Sequence, residues 1–272
     1  MSVWEQYSKE QREEYIKFLQ VYGALSNLFR QKQGDLIPYL DSKFQETVFA
    51  RIFKSQNVDV GNTPHDVLCI LGDKRIGVGL KTFTCNTNNS TEKVAEFNSL
   101  SRVLAEFKGK ELAIKLSEFR NDRINLANRL YNIESSLYHI VARKEKELLL
   151  YETDYNTIDI ANIHSVKDNK ASLQFEDGNN FYSFNYSKST LFRKFIIPQN
   201  VFRLPIDIIE DPYSLLLELF EENKDLKTAT DKLIKGENYV ILPLYGMQKK
   251  EKFIFERSGL NQWNANGRKN TF

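Results

Sequence analysis

A chain of 272 residues with 41% hydrophobic and 27% charged side chains can bury a large core, which excludes a disordered or low-complexity polypeptide. A net charge of +2 neither demands nor excludes nucleic acid, because phosphate contacts need only a local basic face. No run approaches the roughly 18 apolar residues that a membrane span needs, and two cysteines with three histidines make a structural zinc site an unfavoured reading.

Helical spacing runs through residues 4–33, with Tyr7, Tyr15, Phe18, Leu19, Tyr22, Leu25, Leu28 and Phe29 on one side and charges opposite. A second helix is expected over Ser42–Lys54, capped by Asp41 or Ser42, with Phe44, Val48, Phe49 and Ile52 inward. Then come two apolar runs, Pro64–Ile70 and Ile76–Phe83, joined by Gly72-Asp73-Lys74-Arg75, which reads as a hairpin. Asp66 opens the first strand. Lys81 shares a face of the second with Gly77 and Gly79, because strand side chains alternate. Cys69 and Cys85 read as small core residues, and a reducing, cytoplasmic setting is the expectation.

A polar loop, Thr84–Thr91, precedes an expected long helix from about Glu92 past Leu104, with Ser90 or Thr91 as its cap. Helical character continues over 111–135, carrying Lys115, Arg120, Arg123 and Arg129. From Leu137 to Tyr186 the pattern turns strand-like, with turns at Asp168-Asn169 and Asp177–Asn180. A helix is expected over Tyr213–Asn223 behind Asp211-Pro212, and two further strands over Asn238–Leu244 and Lys252–Glu256.

An acid and a lysine on neighbouring apolar strands suit metal-assisted cleavage of a phosphodiester: the carboxylate holds a magnesium ion and the ammonium orients water or phosphate. Pro64, Asp66 and Lys81, in their order of helix, hairpin and helix, resemble the PD-(D/E)XK nuclease superfamily over residues 40–100. The resemblance implies an α/β fold, a mixed sheet flanked by helices, here with a second β-rich region. It also implies a Mg2+ cofactor. Gly79 departs from the pattern, since an acid usually stands two residues before the lysine. The following helix is the expected source of the missing carboxylate. Glu96 is preferred there over Glu92, because Val94, Phe97 and Leu100 read as core beside it. Asp66 and Glu96 are therefore expected as metal ligands, Lys81 as the orienting cation, and Glu46 as a further ligand or supporting acid. Glycines at 77 and 79 would let a phosphate backbone come close. Competing readings make Asp66 a turn or cap residue, Lys81 a snorkelling strand lysine and Glu96 part of a solvated face. His65 reads as a local hydrogen-bonding or DNA-proximal residue.

Residues 186–194 mix hydroxyls, cations and aromatics, and Lys188 and Arg193 are expected to meet DNA phosphates. The closing segment 258–269, with Leu242–Tyr245 upstream, resembles a stretch of several type II restriction endonucleases near the start of a B3-like DNA-recognition domain. There Asn261, Gln262, Asn264 and Arg268 have the chemistry to reach base edges or phosphates. The expected organisation is a nuclease core over 1–135, a β-rich region over 136–257, and over 258–272 the start of a truncated or disordered recognition segment. The function implied is Mg2+-dependent, site-specific hydrolysis of double-stranded DNA, with a homodimer matching the two strands to be cut. A related nuclease in repair or modification-dependent cleavage is one alternative. The other is a non-catalytic DNA-recognition module of a larger restriction or repair protein.

Overall fold

Gly72, with φ of 62°, supplies the positive backbone angle that lets Gly72-Asp73 join two antiparallel strands. In the computed structural model, which describes residues 2–30, 34–58, 63–223, 245–248 and 251–254, these strands are β2 (Val67–Leu71) and β3 (Lys74–Thr84). Lys74 and Arg75 already belong to β3, so the turn is shorter than the four residues expected. The chain divides into two compact units, Met1–Pro212 and Tyr213–Phe272.

In the first unit a six-stranded mixed sheet runs β1-β2-β3-β5-β6-β11, adding β1 (Gln56–Asn57), β5 (Ser135–Lys144), β6 (Glu147–Asp154) and β11 (Phe202–Pro205). β3 and β5 are parallel, paired from Ile76–Ser135 to Thr84–Arg143, and every other pair in this sheet is antiparallel. The expected division at 135/136 falls at the first residue of β5, and the sheet's strands lie on both sides of it.

One face of this sheet is covered by α1 (Lys9–Ala24) and α2 (Ser42–Phe53). Tyr15, Leu19, Val48 and Phe49 pack there against Ile76, Val78, Leu80, Val141 and Leu150. The single helix expected over 4–33 is interrupted. Ser8 and Gln11 form a capping box that starts α1, and short 3-10 turns occupy Trp4–Gln6 and Ser26–Leu28. Asp41 caps α2 by accepting from the Phe44 N–H at 3.1 Å, and Lys54 ends it in the left-handed region.

The opposite face carries α4 (Gly109–Tyr131), the crossover to β5; its Ile124 packs with Phe83, Tyr138, Ile140 and Ala142. Farther toward its N-terminus, Leu112, Ala113 and Leu116 pack instead on Leu173, Phe175, Tyr182 and Leu191 of a second sheet. That sheet is five-stranded and antiparallel, in order β4-β10-β9-β8-β7, from β4 (Asn89–Glu96), β7 (His164–Asp168), β8 (Ser172–Glu176), β9 (Phe181–Asn185) and β10 (Thr190–Ile196).

β4 overturns the long helix expected from Glu92. The segment pairs with β10 from Asn89–Ile196 to Glu96–Thr190, and only Ser101–Leu104 (α3) is α-helical before α4. Ladder bonds from a distant strand outweigh a local capping signal. A final helix, α5 (Pro212–Glu222), matches the Asp-Pro start, and β12 (Tyr245–Gln248) pairs antiparallel with β13 (Glu251–Ile254) in the second unit. The strand expected over 238–244 and the segment 258–272, with Asn261, Gln262, Asn264 and Arg268, lie outside the described residues. Among the described residues no helix is long and apolar enough to cross a membrane.

Candidate functional site

Because Val78 and Leu80 turn into the α1/α2 core, alternation sends Gly77, Gly79 and Lys81 to the α4 face of β3. Asp66 arrives beside them from the residue preceding β2. Its N–H donates to the Val78 carbonyl at 3.0 Å, and its Oδ2 accepts from the Leu80 N–H at 2.6 Å. The Leu80 N–H thus orients the carboxylate, while the main-chain bond to Val78 fixes the residue that bears it.

A cleft of about 440 Å3 opens on this face, and Asp66, Gly79, Lys81 and Glu96 all line it. Three of the four acids and bases expected from sequence thus come together, although Glu96 reaches the cleft from strand β4 rather than from a helix. Glu46 does not join them. It sits on α2, which covers the other face of the sheet, and its Oε2 takes the Lys43 ammonium at 2.7 Å. Among the described residues no group of three His, Cys, Asp or Glu side chains is arranged to hold a metal ion.

The glycines make room for aromatic rings. A Cβ at Gly79 would stand 2.8 Å from the Tyr138 ring and 2.9 Å from the Tyr155 ring, and one at Gly77 would stand 2.7 Å from the His65 ring. Tyr138 and Tyr155 stack at 3.9 Å, and the Tyr155 hydroxyl donates to the Pro64 carbonyl at 2.6 Å. Aromatic rings occupy the space that an acid at position 79 would use. His65 is buried, its Nε2 is 2.9 Å from the Ser136 hydroxyl, and burial with the nearby Arg120 charge pushes its pKa down to about 4. It is a neutral packing group, as the local hydrogen-bonding reading expected.

Compared with known proteins, the chain matches no protein-family model, no curated protein and no solved structure.

Four cations line the same cleft: Lys81, Lys93, Arg120 and Arg123. Lys81 Nζ lies 5.6 Å from the Tyr138 ring centroid, Lys93 pairs with Glu96 at 2.7 Å, and Arg123 donates to the Glu96 carbonyl at 2.9 Å. Glu92, the acid set aside in favour of Glu96, is half-buried on β4. Burial raises its pKa, against the Ser90 hydroxyl and the charges of Lys81 and Arg143. Arg120 and Arg123 are read from sequence only as cations on a helix, and Tyr138 and Tyr155 carry no expected role there. The spacing of the two arginines, three residues apart on a helix and therefore on one face, was the available signal.

Of the residues expected to touch phosphates, Lys188 is exposed in the turn between β9 and β10. Arg193 is buried: its Nη1 donates to the Asp154 carbonyl at 2.6 Å and its guanidinium lies 4.9 Å from the Phe195 centroid. Those contacts make Arg193 a packing residue between the sheets. Cys69 and Cys85 are free and buried, as expected.

Proposed function

We propose that this chain is a Mg2+-dependent endonuclease of double-stranded DNA, of the type II restriction kind, with its chemistry in the cleft between β3 and β4. The observation that carries the reading is the convergence of Asp66, Lys81 and Glu96, far apart in sequence, on one cleft rich in cations. The order of helix, hairpin, crossover helix and parallel strand accords with the PD-(D/E)XK resemblance.

The donor set fits magnesium, which takes one or two carboxylates and fills its other positions with water and phosphate. Asp66 and Glu96 would hold the ion, which when bound lowers the pKa of water and neutralises charge on phosphate. The Leu80 N–H keeps the Asp66 carboxylate aimed. Lys81, confined between Tyr138 and the cleft, orients the attacking water or a phosphate oxygen. Cutting both strands at a specific site calls for two such clefts, hence a homodimer.

A second reading, a non-catalytic DNA-recognition module, is favoured by the rings of Tyr138 and Tyr155 filling the place of an acid at 79. Incubating plasmid with Mg2+ or Mn2+ separates the two. The nuclease reading expects linear product from wild type and none from Asp66→Ala or Lys81→Ala. A protein that binds DNA and never nicks it is the module.

A further inference from the structure

Arg120 is the most buried charge in the cleft wall, only 2% exposed, on the turn of α4 that faces β5. Its Nη1 donates to the Asn156 carbonyl at 3.0 Å, and the guanidinium lies 5.4 Å from the Tyr155 centroid. Its Nε and Nη2 complete no well-directed hydrogen bond, and the side chain that approaches the guanidinium as a hydrogen-bond partner is the Tyr138 phenol, a neutral group.

Nε and Nη2 form one edge of the planar guanidinium, the edge that grips two oxygens of a phosphate side by side. A buried cation served by one carbonyl and a neutral phenol is costly unless something anionic completes it. Asp66 and Glu96 are already engaged, with the Leu80 N–H and with Lys93. We propose that Arg120 is a phosphate-binding residue, presenting its Nε/Nη2 edge to one phosphate group in the cleft beside Lys81. The inference rests on the nuclease reading for the bearer of that phosphate, a DNA backbone, and not for the binding itself. Neighbouring Tyr138 offers its hydroxyl to the same oxygens.

The test begins with the unaltered protein. Inorganic phosphate is titrated in metal-free buffer while the Arg120 Nε–H resonance, assigned by its loss in Arg120→Lys, is followed by NMR. A saturable shift is expected. Binding of a random-sequence DNA duplex is then measured against salt in the presence of a chelator. Arg120→Met is expected to weaken it about tenfold and to reduce the salt slope by about 0.9, one phosphate contact, with Arg120→Lys in between. If phosphate shifts the resonance and the duplex slope is unchanged, Arg120 still binds phosphate, and the bearer is a free or terminal phosphate. If phosphate leaves the resonance unmoved, the proposal is overturned, whether or not plasmid is cut. A protein that never nicks DNA but shows the saturable shift overturns the nuclease reading alone.

Discussion

Gly79 and Tyr138 share one space: the ring carbons Cδ1 and Cε1 of Tyr138 lie 2.8 Å from where a side chain at 79 would begin. The ring is buried and stacked on Tyr155, so it cannot swing aside cheaply. Gly79→Ala is therefore expected to destabilise the protein by about 1–3 kcal/mol, the usual cost of overfilling a packed core. Gly79→Glu, which writes the missing acid back into the strand, should cost more and gain no cleavage. Urea unfolding beside a plasmid assay checks both, and an active, stable Gly79→Glu would refute the packing argument.

His65 gives acid sensitivity a location. Its folded pKa of about 4 lies below the 6.5 of an unfolded histidine, because burial and Arg120 oppose its charge. The unfolded chain thus binds the extra proton between these values, and stability must fall as pH drops. The loss begins near pH 6.5, is complete below about 4, and amounts to about 3 kcal/mol. His65→Gln, which can still reach the Ser136 hydroxyl, should flatten the profile of unfolding free energy in that window. An unchanged slope would show that other groups set it.

The hairpin, α2, α5 and the placing of Lys81 with Gly77 and Gly79 on one face of β3 were legible because each is written in local periodicity or capping. The strand β4 was not. Asn89-Ser90-Thr91 followed by Glu92 looks like a capped helix start, and only β10, a hundred residues on, supplies the ladder that makes it extended. The same limit hid Arg120, since a helical arginine carries no mark of burial in its own sequence. It became visible once Tyr138 and Tyr155, from the other side of the crossover, were placed around it. Glu46 failed for the converse reason: its helix was read correctly, but the side of the sheet it covers is decided by packing.

Glu152 ties down the start of the chain. Its carboxylate accepts from the Ser2 hydroxyl at 2.8 Å and from the Val3 and Trp4 N–H groups at 2.9 and 3.1 Å, and meets His139 Nδ1 at 3.3 Å. Burial pushes its pKa up, but the His139 contact and the other hydrogen bonds outweigh this and hold it below 4.5. Its contribution is complete above that value and disappears as pH falls through the lowered one. Glu152→Ala should cost roughly 3 kcal/mol or more, since it strands several donors at once. Hydrogen exchange at the Val3 and Trp4 amides should accelerate well before exchange in β5. Uniform acceleration would mean the segment is not held by this group.

The two acids on β4 can be told apart by what they do to stability and to cutting. Glu96 is half-exposed and its ion pair with Lys93 is on the surface, so Glu96→Gln should change stability by no more than about 0.5 kcal/mol. If it holds the metal ion with Asp66, the same variant should lose plasmid cleavage by roughly a hundredfold or more, because the lost ligand weakens charge stabilisation worth several kcal/mol. Glu92→Gln should behave in reverse. It removes an acid that burial holds at a raised pKa near Lys81 and Arg143, and so alters stability while cleavage survives. Should Glu92→Gln abolish cutting and Glu96→Gln spare it, the carboxylate absent from position 79 is supplied by Glu92.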